Sequence, residues 1–294
     1  MHKKEISLNK HEKKLLEDLC DKLYKKFSNN HVDIFLCGGD INADTIRKKV
    51  NAYLKSEKCI MIFYPEKVFV EYFNLNNKAD YLTLETILAE NVDFICIICE
   101  SPGSIAELGA FSANKDVRPK IIAMIDKKFE KDESFINLGP VKHLLSHNKS
   151  SVKYYNDENL EKICNKLRTQ FKQHLKESVE PRTVSKITGM FYFISLLLYL
   201  FKELNKDKLF SYLKYTVEEI EGIKEDFEPI YSATQKILFN ENFIKNKTQT
   251  TLELTKSGSQ FVYELLNTKE NPIYNEIISD IIKYKYYKYY HYSS

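Results

Sequence analysis

"VDFICIICESPGSIAELGAF" (Val92–Phe111) joins an apolar run to a helical pattern through a single Ser-Pro-Gly-Ser turn. Its first eight residues carry one charge, Asp93, and are rich in isoleucine, valine and phenylalanine. That is the composition of a strand covered on both faces. After the turn the spacing becomes helical, and Pro102 suits the first turn of a helix because its missing N–H would have no partner there. Strand, turn, helix is the repeating unit of a parallel sheet. Working outward, "VDIFLCG" (Val32–Gly38), "CIMIFYP" (Cys59–Pro65) and "KIIAMID" (Lys120–Asp126) read as further strands. They alternate with the helical patterns "NADTIRKKVNAYLKS" (Asn42–Ser56), "LTLETILAENV" (Leu82–Val92) and "IAELGAFSANK" (Ile105–Lys115). The pattern predicts an α/β fold with a Rossmann-like parallel sheet over residues 1–150. In such sheets ligands sit beyond the carboxyl ends of the strands. The segments to search are "CGGD" (Cys37–Asp40), "YPE" (Tyr64–Glu66) and "ESPGS" (Glu100–Ser104).

Composition narrows the function classes. The chain has 294 residues, with 44 basic and 41 acidic side chains and a net charge of +3, so charge alone demands no nucleic-acid partner. The six cysteines are scattered without a disulfide framework, and "MHKKEISLNKHEKK" (Met1–Lys14) has no apolar signal core. These features predict a reduced, cytoplasmic protein. Cys96 and Cys99 form a C-x-x-C, but residues three apart in a strand point to opposite faces and no second pair completes four ligands, so no metal is expected. "MFYFISLLLYLF" (Met190–Phe201) is about a dozen residues long where a membrane span needs about twenty, and it reads as a buried core helix.

Past residue 150 the texture changes. Five of the eight glycines lie before that point, and the remainder of the chain is dominated by Lys, Leu, Tyr and Phe at helical spacing. Residues 151–294 therefore read as a second, mainly helical domain. Near its end, Phe227–Asn267 suggests helix, strand, the short strand "TLELT" and a further helix. This module is either winged-helix-like or a helical dimerisation unit. The tail "KYKYYKYYHYSS" (Lys283–Ser294) interleaves lysines with six tyrosines. Such a tail either stacks on bases while neutralising phosphate, or packs its tyrosines on the domain.

At the strand ends, Gly38 and Gly39 let backbone approach a ligand closely, and Asp40 offers a carboxylate to a ribose hydroxyl. Gly103 and Ser104 supply N–H groups and a hydroxyl at the positive end of a helix, where phosphate is favoured. Glu107 lies one turn further in. As a simple charge near a helix N-terminus it would contribute under about 1 kcal/mol. Gly109 costs about 1 kcal/mol inside a helix relative to Ala, so close approach by a ligand or backbone is the expected compensation. Together with Glu85 on the preceding helix, Glu107 forms the carboxylate pair that cleavage at an anomeric carbon requires.

On these residues the first half resembles the nucleoside deoxyribosyltransferase-like family: a first strand ending in "FLCGGD", an acid on a helix (Glu85), then "VDFICIICESPGSIAELGAF". The resemblance implies that Glu107, the acid of the E-L-G element, is the nucleophile at the anomeric carbon and that Glu85 orients or protonates the leaving base. A family aspartate that binds sugar hydroxyls corresponds to Ser101, with Glu100 beside it. "IFLCGGD", "IFYPE", "ESPGS", "ELGAFS" and "SFINLGPV" (Ser134–Val141) further resemble the effector subunit of one class of bacterial retron, which adds Asn137 to the expected substrate-binding set. "PGSIAE" is similar to the "PGGxGTxxE" loop of Rossmann-like glycosidases, which implies phosphate at Gly103 and Ser104. The resemblance implies an N-glycosidase with NAD+ as substrate and no separate cofactor. The implied partners are a reverse transcriptase and its branched RNA–DNA (msDNA), with a homo-oligomer or higher assembly and no membrane. Deoxyribosyl transfer between bases, and a non-catalytic module that senses a nucleotide, remain open as alternatives.

Overall fold

The computed structural model describes residues 5–64, 91–177, 181–224, 227–266 and 272–292, with side chains through residue 285. Two compact units are present, one formed by residues 31–178 and the other by residues 1–30 together with 179–294. The grouping differs from a division at residue 150: a strand and a long helix beyond that point complete the sheet unit, and the N-terminal helices join the C-terminal half.

The chain opens with α1 (Lys10–Asp18), entered through a reciprocal cap. Asn9 Oδ1 accepts from Glu12 N at 2.9 Å, and Glu12 Oε2 accepts from Asn9 N at 2.9 Å, so two orphan donors of the first turn are satisfied at once. A π-helical stretch, Leu19–Tyr24, leads to α2 (Lys25–Ser28).

The sheet unit then runs β1 (Val32–Cys37), α3 (Ile46–Lys55), β2 (Ile60–Phe63), β3 (Phe94–Ile98), α4 (Pro102–Ala113), β4 (Ile121–Asp126), α5 (Lys142–His147), β5 (Val152–Tyr155) and α6 (Leu160–Glu177). The strands are ordered β2-β1-β3-β4-β5 and every neighbouring pair is parallel, with Val32 opposite Ile60, Ile34 opposite Phe94, Ile95 opposite Ile121 and Ala123 opposite Val152. The four strands expected from the apolar runs are all present. β5 was not anticipated because its four residues, "VKYY", bury only the first and last. Alternation sorts the strand side chains onto two faces. Val32, Ile34, Leu36, Ile62, Cys96, Ile98, Ile122 and Met124 pack under Val50 and Leu54 of α3 and Ile163, Leu167 and Phe171 of α6. On β3 and β4 rests α4, burying Leu108 and Phe111. Cys96 belongs to the first face, its Sγ 3.8 Å from Met124 Sδ. Among the described residues no group of three or more His, Cys, Asp or Glu side chains is placed so that it could hold a metal ion.

In the other unit, α7 (Ile187–Phe201) is buried at every position except Tyr199, as a helix apolar all round must be. No helix among the described residues is long and apolar enough to cross a membrane. A Cβ on Gly189 would lie 1.9 Å from Thr183 O, and Tyr24 OH donates to Gly189 O at 2.9 Å, so this helix passes its neighbours with no room for a side chain there. Around it lie β6 (Glu203–Asn205), α8 (Lys206–Tyr215), α9 (Phe227–Asn240), β7 (Ile244–Asn246), β8 (Thr251–Leu254), α10 (Lys256–Leu266) and α11 (Pro272–Tyr292). The three strands form an antiparallel sheet in the order β6-β8-β7. The third strand, β6, spans only three residues between two helices, too few to show a period.

Glu12 ties this unit together. It is 1% exposed, pairs with Lys208 Nζ at 2.5 Å, and accepts from Tyr212 OH at 3.1 Å and from Tyr284 OH. Lys285 Nζ donates to Phe201 O at 2.7 Å. The first part of the Tyr/Lys-rich tail is thus a helix that packs through Tyr284. Burial pushes the Glu12 carboxyl up, but hydrogen bonds from Lys208, Tyr284 and Asn9 N and the Lys208 charge outweigh it and hold it below the ordinary 4.5. A depressed carboxyl stabilises the fold above its unfolded value, and that contribution is lost as pH falls through the folded value. Urea denaturation across a pH series is therefore expected to show stability declining below pH 4.5. Glu12→Gln should flatten that acid limb and cost about 2 kcal/mol at neutral pH.

Candidate active site

In a parallel sheet ordered 2-1-3-4-5 the crossovers reverse direction between the first and third strands, and the crevice beyond their carboxyl ends is the place for a ligand. Here the crevice is bordered by Gly38–Asp40 after β1 and Cys99–Ser101 after β3. A carboxylate bridges it. Glu100 Oε1 accepts from Gly39 N at 3.0 Å and Arg47 N at 3.0 Å, and Oε2 accepts from Ile46 N at 2.7 Å. Ile46 and Arg47 open α3, so their N–H groups are among the four that a helix leaves unsatisfied at its start. Thr45 caps the same turn, accepting from Lys48 N at 3.2 Å. The Arg47 side chain turns back into the loop, donating to Gly39 O at 3.1 Å and Leu36 O at 2.7 Å while 3% exposed.

The clamp accounts for the two glycines. A Cβ on Gly38 would fall 3.0 Å from Arg47 Cβ, and one on Gly39 would fall 3.0 Å from Thr45 Cγ2 and 3.2 Å from Glu100 Oε1. The close approach they permit, expected to serve a ligand, is used by Arg47 and Glu100. Asp40 is exposed, and its Oδ1 accepts from Asn42 N at 2.9 Å and Asn42 Nδ2 at 3.1 Å.

At the start of α4, Ser101 and Ser104 form a reciprocal cap. Ser101 Oγ accepts from Ser104 N at 3.2 Å, Ser104 Oγ accepts from Ser101 N at 3.1 Å, and Ser104 Oγ donates to Ser101 O at 2.9 Å. Both hydroxyls are held by backbone, and Ser104 is 1% exposed. Gly103 is exposed, and a Cβ there would meet only Ser101 Oγ at 4.0 Å. Glu107 lies one turn further along, on the same helix face as Gly103. It is half-buried, with Oε2 shielded from solvent. Burial, and then the Glu107 charge, push the Cys99 thiol up to about 12, which brings Glu107 within electrostatic reach of the residue just past β3 and keeps that thiol neutral. Acids gather at this end of the sheet: burial first, then Glu100, Asp126, Cys99 and Asp157, push the Tyr155 phenol upward.

Gly38, Gly39, Asp40 and Ser101 thus lie on the two loops that border the crevice, and Gly103, Ser104 and Glu107 lie on the first turns of α4, which follows the second loop. Asn137 lies elsewhere, at the start of a π-helical turn (Asn137–Val141), where its Nδ2 donates to Phe129 O at 2.6 Å and Asp132 O at 2.8 Å. Glu85 lies outside the described residues. The sequence does not disclose the roles of two crevice residues, Glu100 and Arg47. A signal for Arg47 exists: Arg47, Val50 and Leu54 form the buried stripe of α3, and an arginine in such a stripe needs buried acceptors.

Comparison with known proteins bears on this geometry. Residues 43–246 match the family described as STM3845 retron effector protein. The chain is 31% identical over 272 residues to the "Retron Ec86 putative ribosyltransferase/DNA-binding protein" of Escherichia coli, covering 88% of this chain and 87% of that one. It is also 32% identical over 139 residues to the "Retron Ec73 putative ribosyltransferase/DNA-binding protein" of Escherichia coli, covering 44% of each chain.

A Cβ on Gly109 would meet nothing within 4 Å, so the glycine is not required by the packing of α4. Gly109→Ala is expected to raise stability by about 0.5–1 kcal/mol, read from urea or thermal denaturation. A loss of stability would show that the space beside Gly109 is already filled.

Proposed function

The chain belongs to the STM3845 retron effector protein family, and from that premise we propose that it is a nucleotide N-glycosidase of the nucleoside deoxyribosyltransferase-like type, cleaving the nicotinamide–ribose bond of NAD+ to arrest a phage-infected cell. The observation that carries the proposal is the position of Glu107: a half-buried carboxylate one turn into α4, at the carboxyl end of β3 and beside the bare backbone of Gly103. The names of the two curated relatives, both including ribosyltransferase, support the same chemistry.

A carboxylate oxygen of Glu107 attacks the anomeric carbon as the C–N bond to nicotinamide breaks, and the bond's electron pair leaves with the ring. Nicotinamide departs neutral because it began as a pyridinium cation, so no acid is needed to protonate it. Water then attacks the anomeric carbon, Glu107 is released as carboxylate, and ADP-ribose and one proton are the remaining products. Glu85 is the residue proposed to orient the leaving base. An acceptor other than water would make the same intermediate a transferase intermediate, a variant favoured by the relatives' printed names.

The second unit is proposed to dock the partners, a reverse transcriptase and its branched RNA–DNA. The order α7, β6, α8, α9, β7, β8, α10, with the sheet ordered β6-β8-β7, supports our reading of this unit as winged-helix-like, in which α9 would be the helix before the wing and residues 247–250 the wing. This supports the nucleic-acid reading over a plain dimerisation module. Two lysines at the wing are already partnered: Lys245, on β7, pairs with Glu253 at 3.1 Å, and Lys247 pairs with Glu203. Phosphate must displace carboxylate to reach them.

Incubating the purified protein with NAD+ should release nicotinamide and ADP-ribose, and Glu107→Gln should slow this by at least about a thousandfold while leaving the thermal midpoint near that of the parent. A variant as active as the parent removes Glu107 from the mechanism. For the second unit, affinity for branched RNA–DNA should fall linearly with salt on a log–log plot, and Lys245→Ala with Lys247→Ala should reduce that slope by about one per lysine.

A further inference from the structure

The crevice between β1 and β3 is where an α/β sheet of this order ordinarily receives a ligand, and the N-terminus of the helix after β1 is where it ordinarily receives a phosphate. In this chain that place is taken. Three N–H groups, from Gly39, Ile46 and Arg47, converge on the two carboxylate oxygens of Glu100 at 2.7–3.0 Å. An anionic pair of oxygens bound by a loop glycine and the first two amides of a ten-residue helix reproduces the way such a helix holds a phosphate. The side chain is supplied by the protein itself, from the end of the neighbouring strand.

Three further features close the position to an external anion. Gly39 is shaped to Glu100, since a Cβ there would come within 3.2 Å of Oε1. The guanidinium of Arg47, which could otherwise attract a phosphate, is buried and directed at Gly39 O and Leu36 O. Acids also lie nearby, Asp126 at the end of β4 and Glu107 one turn into α4.

We propose that Glu100 is a specificity-determining residue: it occupies the anion-binding N-terminus of α3 in place of a substrate phosphate, so that only an uncharged or cationic nucleoside moiety enters the β1/β3 crevice and any substrate phosphate lies outside it. The assignment of the entering group as a nucleoside rests on the glycosidase reading above, whereas the exclusion of anions does not. Glu100 thus selects which half of a dinucleotide faces Glu107, without itself taking part in bond cleavage.

The test uses inorganic phosphate as the probe, with chloride at matched ionic strength as control. In the wild-type chain phosphate should leave the melting temperature at the chloride value. Glu100→Ala vacates the carboxylate's place, and Glu100→Gln keeps the shape without the charge. Glu100→Ala should be stabilised saturably by phosphate, with at least about tenfold tighter apparent binding than the wild type, even if it melts lower in its absence, whereas Glu100→Gln, whose amide still fills the place, should stay at the chloride value. A Glu100→Ala variant that ignores phosphate, or a wild type or Glu100→Gln variant that responds as strongly, overturns the proposal. Backbone amide shifts supply an arm that needs no variant: saturable movement of Gly39, Ile46 and Arg47 in the wild type also overturns it, and stationary amides at those positions support it. None of these readouts requires turnover, so loss of the glycosidase reading through an active Glu107→Gln variant would leave the phosphate result standing, and the reverse holds as well.

Discussion

A helix that starts at the edge of a crevice presents several N–H groups that its own turn cannot satisfy. In this protein the first of them, on α3, are met by a carboxylate that arrives from another strand, and the candidate site depends on that contact. Glu100 joins the end of β3 to the loop after β1 and to the opening turn of α3. Arg47, in the same turn, returns two hydrogen bonds to the carbonyls of Leu36 and Gly39. Donors and acceptors of the loop are thus both satisfied by side chains whose own charged atoms are buried or half-buried, the condition under which polar groups are tolerated away from water. The result is a rigid floor: the backbone at Gly38 and Gly39 is held by fixed partners, and the side chains that border the crevice are positioned relative to it.

The same constraint explains what could be read in the sequence and what could not. Strands β1 to β4 were legible because each is a nearly continuous apolar run, and the parallel arrangement is the one that helices on both faces require. The strand β5 was not, since it buries only its first and last residues and exposes part of Lys153 and Tyr154. Its Lys- and Tyr-rich surroundings resemble those of the helices after it, which moved the expected boundary too early. The caps of α4 were partly legible: Ser before Pro is a strong start signal, but the reciprocal use of Ser104 removes a hydroxyl that the sequence offers to a substrate. The clamp was not legible at all. Its contacts link Glu100 to Gly39, Ile46 and Arg47, 53 to 61 positions away, and no local pattern carries such information. Glu12, joined to Lys208, Tyr212 and Tyr284, is the equivalent case in the other unit.

The two units use one device for different ends. In each, a carboxylate with little exposure gathers donors from segments distant in sequence, and each also serves the start of a helix: Glu12 completes the cap of α1 and Glu100 satisfies the first turn of α3. Around Glu12 the donors are a lysine and two tyrosyl hydroxyls, and what is fixed is the packing of α11 and α8 on α1. Around Glu100 the donors are all main-chain amides, and what is fixed is the backbone of a loop. A carboxylate bound only by amides holds a shape without requiring a countercharge, which leaves the surrounding crevice acidic.

That acidity separates the two glutamates of "ESPGSIAE". The lone pairs of Glu100 are directed at three N–H groups, and moving it onto a substrate would strand those donors at a half-buried helix start, a loss of up to about 1 kcal/mol for each donor left unsatisfied. Glu107 sits in a different setting. Its neighbour Cys99 is held as a neutral thiol, the helix face above it is bare at Gly103, and no cap in α4 depends on its side chain. The capping of α4 therefore does not hinge on Glu107, as the first turn of α3 does on Glu100. A crevice with Glu100 fixed beneath it and Glu107 at its side disfavours added negative charge and favours positive charge. An anomeric carbon that gains oxocarbenium character as a cationic base departs is a group of the favoured kind, and a phosphate is one of the kind it repels.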